Sequence, residues 1–113
     1  MTNLLRAETT LKFPNDVSYK AKMSLDTIMG IESALGTSIL KVANKLSTGE
    51  LSLIEIITIM TLSIRAGGND IKDSDVKKLV SDMGLIESIK TAGDLLTLAL
   101  DTGEKEDEKK SES

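Results

Sequence analysis

The sequence predicts an α+β domain: an N-terminal β-hairpin followed by about five short helices packed as a small bundle. Three observations carry this. Up to Met23, apolar and polar residues alternate with period two on either side of a Pro-Asn-Asp turn. From Ser24 onward, apolar residues recur at helical spacing, with serines where helices would start and glycines where they would stop. All strands precede all helices, an order that suits an α+β layout.

Thr9, Leu11 and Phe13 make one alternating run, and Val17, Tyr19, Ala21 and Met23 make a clearer one. Pro14-Asn15-Asp16 separates them; Pro presets φ, and Asn and Asp tolerate tight turns. The expected hairpin, 6–23, pairs 6–13 with 17–23. A lone hairpin is marginal in water, so its apolar side should lie on the helices.

Ser24 is a suitable N-cap for a helix over 25–35, in which Leu25, Ile28, Ile31 and Leu35 share a face and Gly36 ends the run. Thr37 or Ser38 caps a second helix, 38–46, with Ile39, Leu40, Val42, Ala43 and Leu46 as its apolar positions. Ser47-Thr48-Gly49 then breaks the chain. The third helix, 52–66, opens with Ser52 and has Glu55 three residues on, the spacing of a capping box. Gly67-Gly68 ends it. After a polar loop, Asp73 or Ser74 caps a fourth helix, 74–83, with Val76, Leu79, Val80 and Met83 on one stripe and Gly84 as its stop. A fifth helix, 85–100, turns Ile86, Ile89, Ala92, Leu95, Leu96 and Ala99 inward. Residues 101–113 contain no large apolar side chain and are expected to be a disordered charged tail beyond a single 1–100 domain.

Composition narrows the function. The chain has 113 residues, enough for one modest core. Phe13 and Tyr19 are its only aromatic residues, so aliphatic side chains must fill that core. Without cysteine or histidine, thiolate chemistry and the commonest general base are excluded. The net charge is −4, of which 101–113 carries −3. The nearly neutral body offers no basic face for nucleic acid. No apolar stretch is long enough to span a bilayer, and the first twelve residues lack the apolar centre of a signal peptide. A cytoplasmic location is the expectation.

The chemical motifs fail on spacing. Starting an EF-hand loop at Asp70 puts Lys72 at position 3, Asp75 at position 6 and Ser81 at position 12, where an acidic or amide side chain, Gly and Glu are needed. Gly67-Gly68 is not followed by the Gly-Lys-Ser/Thr of a phosphate loop. Glu32, Glu55 and Glu87 fall on three different helices. No catalytic, cofactor-binding or metal-ligating residue is nominated, and the chain reads as a non-enzyme that needs no cofactor.

The third helix is apolar on two sides. Leu53, Ile54, Ile56, Ile57, Met60 and Ile64 cover one broad face, whereas Leu51, Ile59 and Leu62 fall opposite, flanking Glu55. A surface helix normally has one apolar stripe and a polar back. Either this helix is enclosed by the others, or its second stripe is left for a partner. The second reading nominates Leu51, Glu55, Ile59 and Leu62, extended by Leu98, as partner-binding residues, with Gly36, Gly67, Gly68 and Gly84 as structural turns.

Several short runs together resemble a known layout: Tyr19-Lys20-Ala21-Lys22-Met23-Ser24-Leu25, Ile31-Glu32, Leu35-Gly36, Gly49-Glu50-Leu51-Ser52, Arg65-Ala66-Gly67-Gly68, and Gly84 before a final apolar helix. Over about 17–100 the chain is similar to the phage tail assembly chaperones of the gene-transfer-agent type. The resemblance implies a phage or prophage protein that binds and shields the tape measure protein during tail morphogenesis in the bacterial host cytoplasm. Other tail proteins and a second copy of the chain are further candidate partners. The alternative is a structural tail or neck subunit retained in the particle.

Overall fold

The computed structural model describes the backbone of residues 8–112 and the side chains of residues 8–102. Among the described residues, one antiparallel hairpin precedes five helices, an α+β fold. Strands β1 (Glu8–Phe13) and β2 (Val17–Lys22) pair in a register that sets Phe13 opposite Val17 and Glu8 opposite Lys22. Asn15 and Asp16 hold φ of 66° and 61° in the turn, left-handed values their short polar side chains tolerate. The expected start of the first strand at residue 6 lies outside the described residues. Leu11, Phe13 and Ala21 are buried on the helix-facing side, and β2 packs against the third helix. The Phe13 and Tyr19 rings meet edge-on with centroids 6.0 Å apart.

Helix α1 spans Leu25–Leu35, α2 Ile39–Thr48, α3 Leu53–Ala66, α4 Asp73–Met83 and α5 Leu85–Glu112. Ser24, Ser38 and Ser52 cap the first three, each accepting a hydrogen bond from the backbone N–H three residues on. Helix α2 runs two residues past the expected 46, because Thr48 donates its hydroxyl to the Lys45 carbonyl and the left-handed residue is Gly49. The expected cap of α4, Asp73 or Ser74, is not used. Asp75 instead accepts from the Lys72 N–H at 3.0 Å, so the carboxylate reaches back and the helix begins at Asp73.

The largest difference is at the C-terminus. The segment from 101 onward, expected to be disordered, continues α5 as helix to Glu112. Lack of apolar residues removes tertiary anchorage but not helix propensity. Glu and Lys, which dominate this segment, are good helix formers, and Gly103 is its weakest position. Thr102 is buried and donates its hydroxyl to the Leu98 carbonyl, so the packed part of α5 extends past Asp101.

Helix α3 sits at the centre, packed on β2, α1, α4 and α5. Ile56, Ile59, Met60 and Ile64 are fully enclosed with Met23, Ile31, Val42, Val76 and Leu95. Burying such a side chain contributes roughly 1.5–3 kcal/mol each. The exit from α3 is pinned to β2. A Cβ on Gly67 would overlap the Lys20 carbonyl oxygen, and the Asn69 amide donates to that same oxygen at 2.9 Å and to the Ile64 carbonyl at 3.1 Å. Arg65 donates through Nε to the Ile71 carbonyl, and Ile71 itself is buried, an apolar anchor within the polar loop.

The four glycines expected at turns act differently. Gly36 ends α1 with φ 68° and ψ 27°, a left-handed cap. Gly84, the expected stop of α4, has φ 89° and ψ 159°, an extended region essentially restricted to glycine. Gly67 has an ordinary φ of −75° and is needed for its close approach to β2; Gly68 beside it takes the positive φ.

Candidate partner-binding surface

The two-sided apolar pattern of α3 is explained by enclosure. Ile59 is fully buried and Glu55 is 6% exposed. Leu51, Leu62 and Leu98 are half-buried and packed against the core. The five nominated residues therefore do not form an exposed stripe, and Ile59 and Glu55 are withdrawn from the binding surface. The physical reason is that α3 has neighbours on both sides, which a single-helix projection cannot show.

Glu55 has a local structural role. Its Oε1 accepts the Ser52 N–H at 2.8 Å while Ser52 Oγ accepts the Glu55 N–H at 3.2 Å, completing the expected capping box. Its Oε2 accepts from Lys45 Nζ at 2.8 Å, tying α2 to the first turn of α3. Burial alone would push its carboxyl up. The hydrogen bonds from Lys45 and from the Ser52 amide and hydroxyl, with the lysine charge, outweigh burial and hold it below its ordinary 4.5. Glu32 accepts the Ile39 N–H at 2.8 Å and so caps α2 from α1.

The exposed aliphatic side chains lie elsewhere. Ile54 is 74% exposed, Ile86 73%, Leu40 67% and Met29 63%, with Leu25, Leu53, Leu85 and Leu100 also open. Most of them share one local cause: an aliphatic residue or pair directly follows the cap or stop residue, as in Ser24-Leu25, Ser38-Ile39-Leu40, Ser52-Leu53-Ile54 and Gly84-Leu85-Ile86. First-turn side chains project past the end of the packed core. Sequence reasoning placed Leu53 and Ile54 on the main face of α3 and Ile86 inward on α5, and the structure reverses all three. A signal was present: Ile54 lies eleven residues, about three turns, from exposed Arg65, and Ile86 lies eleven from exposed Thr97.

Two tertiary contacts relate the end of α2 to α3 and α5. Lys45, near the end of α2, reaches Glu55 in the first turn of α3. The neighbouring Leu46 lies on Gly93 of α5. Leu53 and Ile54 therefore begin α3 close to the end of α2, and Leu85 and Ile86 lie about two turns before Gly93 on α5. Leu40, Ala43, Leu46, Leu96 and Leu100 line a shallow groove of about 340 Å³ between α2 and α5. Asn44, Ser47 and Thr97 add polar lining to it. This groove and the exposed helix starts are the candidate contact sites.

Among the described residues, no three acidic residues converge to hold a metal ion. No helix among them is long and apolar enough to cross a membrane.

Comparison with known proteins then adds one finding. The family described as "Phage tail tube protein, GTA-gp10" matches residues 6–102, the hairpin and the packed helices together. No curated protein and no solved structure matches the chain.

Proposed function

Because the chain belongs to the family of phage tail tube proteins described as GTA-gp10, we propose that it is a structural subunit of a phage or gene-transfer-agent tail, retained in the particle and acting through protein–protein contact without catalysing a reaction. The observation that carries this is the extent of the family match, which covers the whole packed body. The exposed aliphatic helix starts supply surface for such contacts, since apolar patches open to water are characteristic of association sites. Mass spectrometry of purified particles is the test. Abundant chain in every particle is expected, and its absence from complete particles would refute retention.

A second reading is favoured by the α2–α5 groove. A trough between two helices, lined by both aliphatic and polar side chains, is a surface on which an amphipathic helix can be laid. The chain would then be an assembly chaperone that covers the tape measure protein until the tube encloses it and is afterwards released. A shallow groove suits a reversible contact better than the large interfaces of permanent complexes. The particle measurement separates the readings, because a released chaperone is absent from complete particles but co-purifies with assembly intermediates.

A further inference from the structure

Helix α2 is held differently from its neighbours. The chain enters it through Gly36 and leaves it through Gly49, with φ of 68° and 74°. Glycine at both junctions leaves the backbone free to change direction there. Within α2 only Val42 is fully buried, whereas α1, one residue longer, buries Thr27, Ile28 and Ile31. Ile39 and Leu46 pack against the core only partly buried, and polar contacts hold the helix near each end. Glu32 holds the Ile39 N–H at one end and Glu55 holds Lys45 Nζ at the other, both at 2.8 Å. One residue past Lys45, Leu46 Cδ2 rests 3.2 Å from where a Cβ on Gly93 would be. Glycine there lets α2 approach closely and contributes no side chain to grip it.

We propose that α2 is a hinged cover that opens as a unit about Gly36 and Gly49, exposing the seat formed by Gly93 and Leu96 on α5. Segments with little apolar burial open at lower free energy than the whole fold. Opening breaks the two carboxylate clamps, withdraws Val42 and Leu46 from the body, and joins their seat to the already exposed Leu100. The closed state limits how much aliphatic surface the protein presents, and the open state enlarges it. This motion is a property of the chain alone and does not depend on the assignment to a tail.

Residue-resolved amide hydrogen exchange on the full chain tests it. In the unmodified protein, the amides of residues 42–46 are expected to exchange at least ~10-fold faster than those at the centre of α1, and to respond to low denaturant together. Lys45→Met keeps the apolar stem and removes one clamp; it is expected to speed exchange in α2 by a further ~5-fold while α1 and α4 are unchanged. Protection in α2 equal to that in α1 would overturn the proposal. So would a Lys45→Met variant that accelerates every helix alike, or none.

Discussion

Glu55, Thr61 and Gly67 show how single positions hold this fold, and each yields a measurement. Glu55 is held below its ordinary value, so ionisation stabilises the folded state. That contribution is complete above 4.5 and is lost as pH falls through the lowered folded value. Glu55→Gln is expected to cost about 1 kcal/mol at neutral pH, kept small because Lys45 is partly exposed. The variant should also unfold less steeply on acidification than the parent, as followed by circular dichroism. Thr61 is 1% exposed, and its hydroxyl has no hydrogen-bond partner within the described structure. Thr61→Val removes that orphan at constant shape and is expected to stabilise by about 1 kcal/mol, read as a rise in Tm. Gly67→Ala drives a methyl into the Lys20 carbonyl and is expected to destabilise by roughly 1–3 kcal/mol, read from a denaturant titration. The Ser52–Glu55 box was legible because both partners lie within one helical turn. The Lys45 clamp and the need for glycine at 67 were not, since each depends on a segment that only folding brings near.

At the scale of elements, the hairpin, its turn and the order of the five helices were readable from periodicity, caps and glycines. The differences arise where an element ends or meets another. Helix α5 continues through a stretch that has no apolar stripe, because propensity without packing is enough to continue a helix already nucleated on a core. Its first turn was misread for the opposite reason: Ile86 fits the inward periodicity but projects beyond the core's edge. The same division sets what truncation does. Residues 103–113 contain no aliphatic or aromatic side chain. Ending the chain after Thr102 is therefore expected to leave Tm within a few degrees. Ending it after Leu98 removes buried Ala99 and Thr102 and is expected to lower Tm clearly. A large loss from the first truncation would show that the distal helix packs.

At the scale of the molecule, the candidate surface was the least legible feature. The sequence showed an excess of aliphatic residues on α3, but a single helix does not reveal how many neighbours enclose it. The structure spends that excess on a central helix and leaves a different set open, at the starts of α1, α2, α3 and α5. Leu51→Asp or Leu62→Asp would disturb packing against the core, so neither isolates binding from folding. Ile54 and Ile86 do isolate it, because both are largely in water already. The decisive measurement is co-purification of tail proteins, identified by mass spectrometry, with the parent chain and with an Ile54→Asp/Ile86→Asp variant expressed alongside the tail genes. The expected result is at least ~10-fold loss of captured tail protein, with circular dichroism and Tm unchanged. Equal capture by a folded double variant would contradict the assignment of these helix starts as the surface through which the protein works.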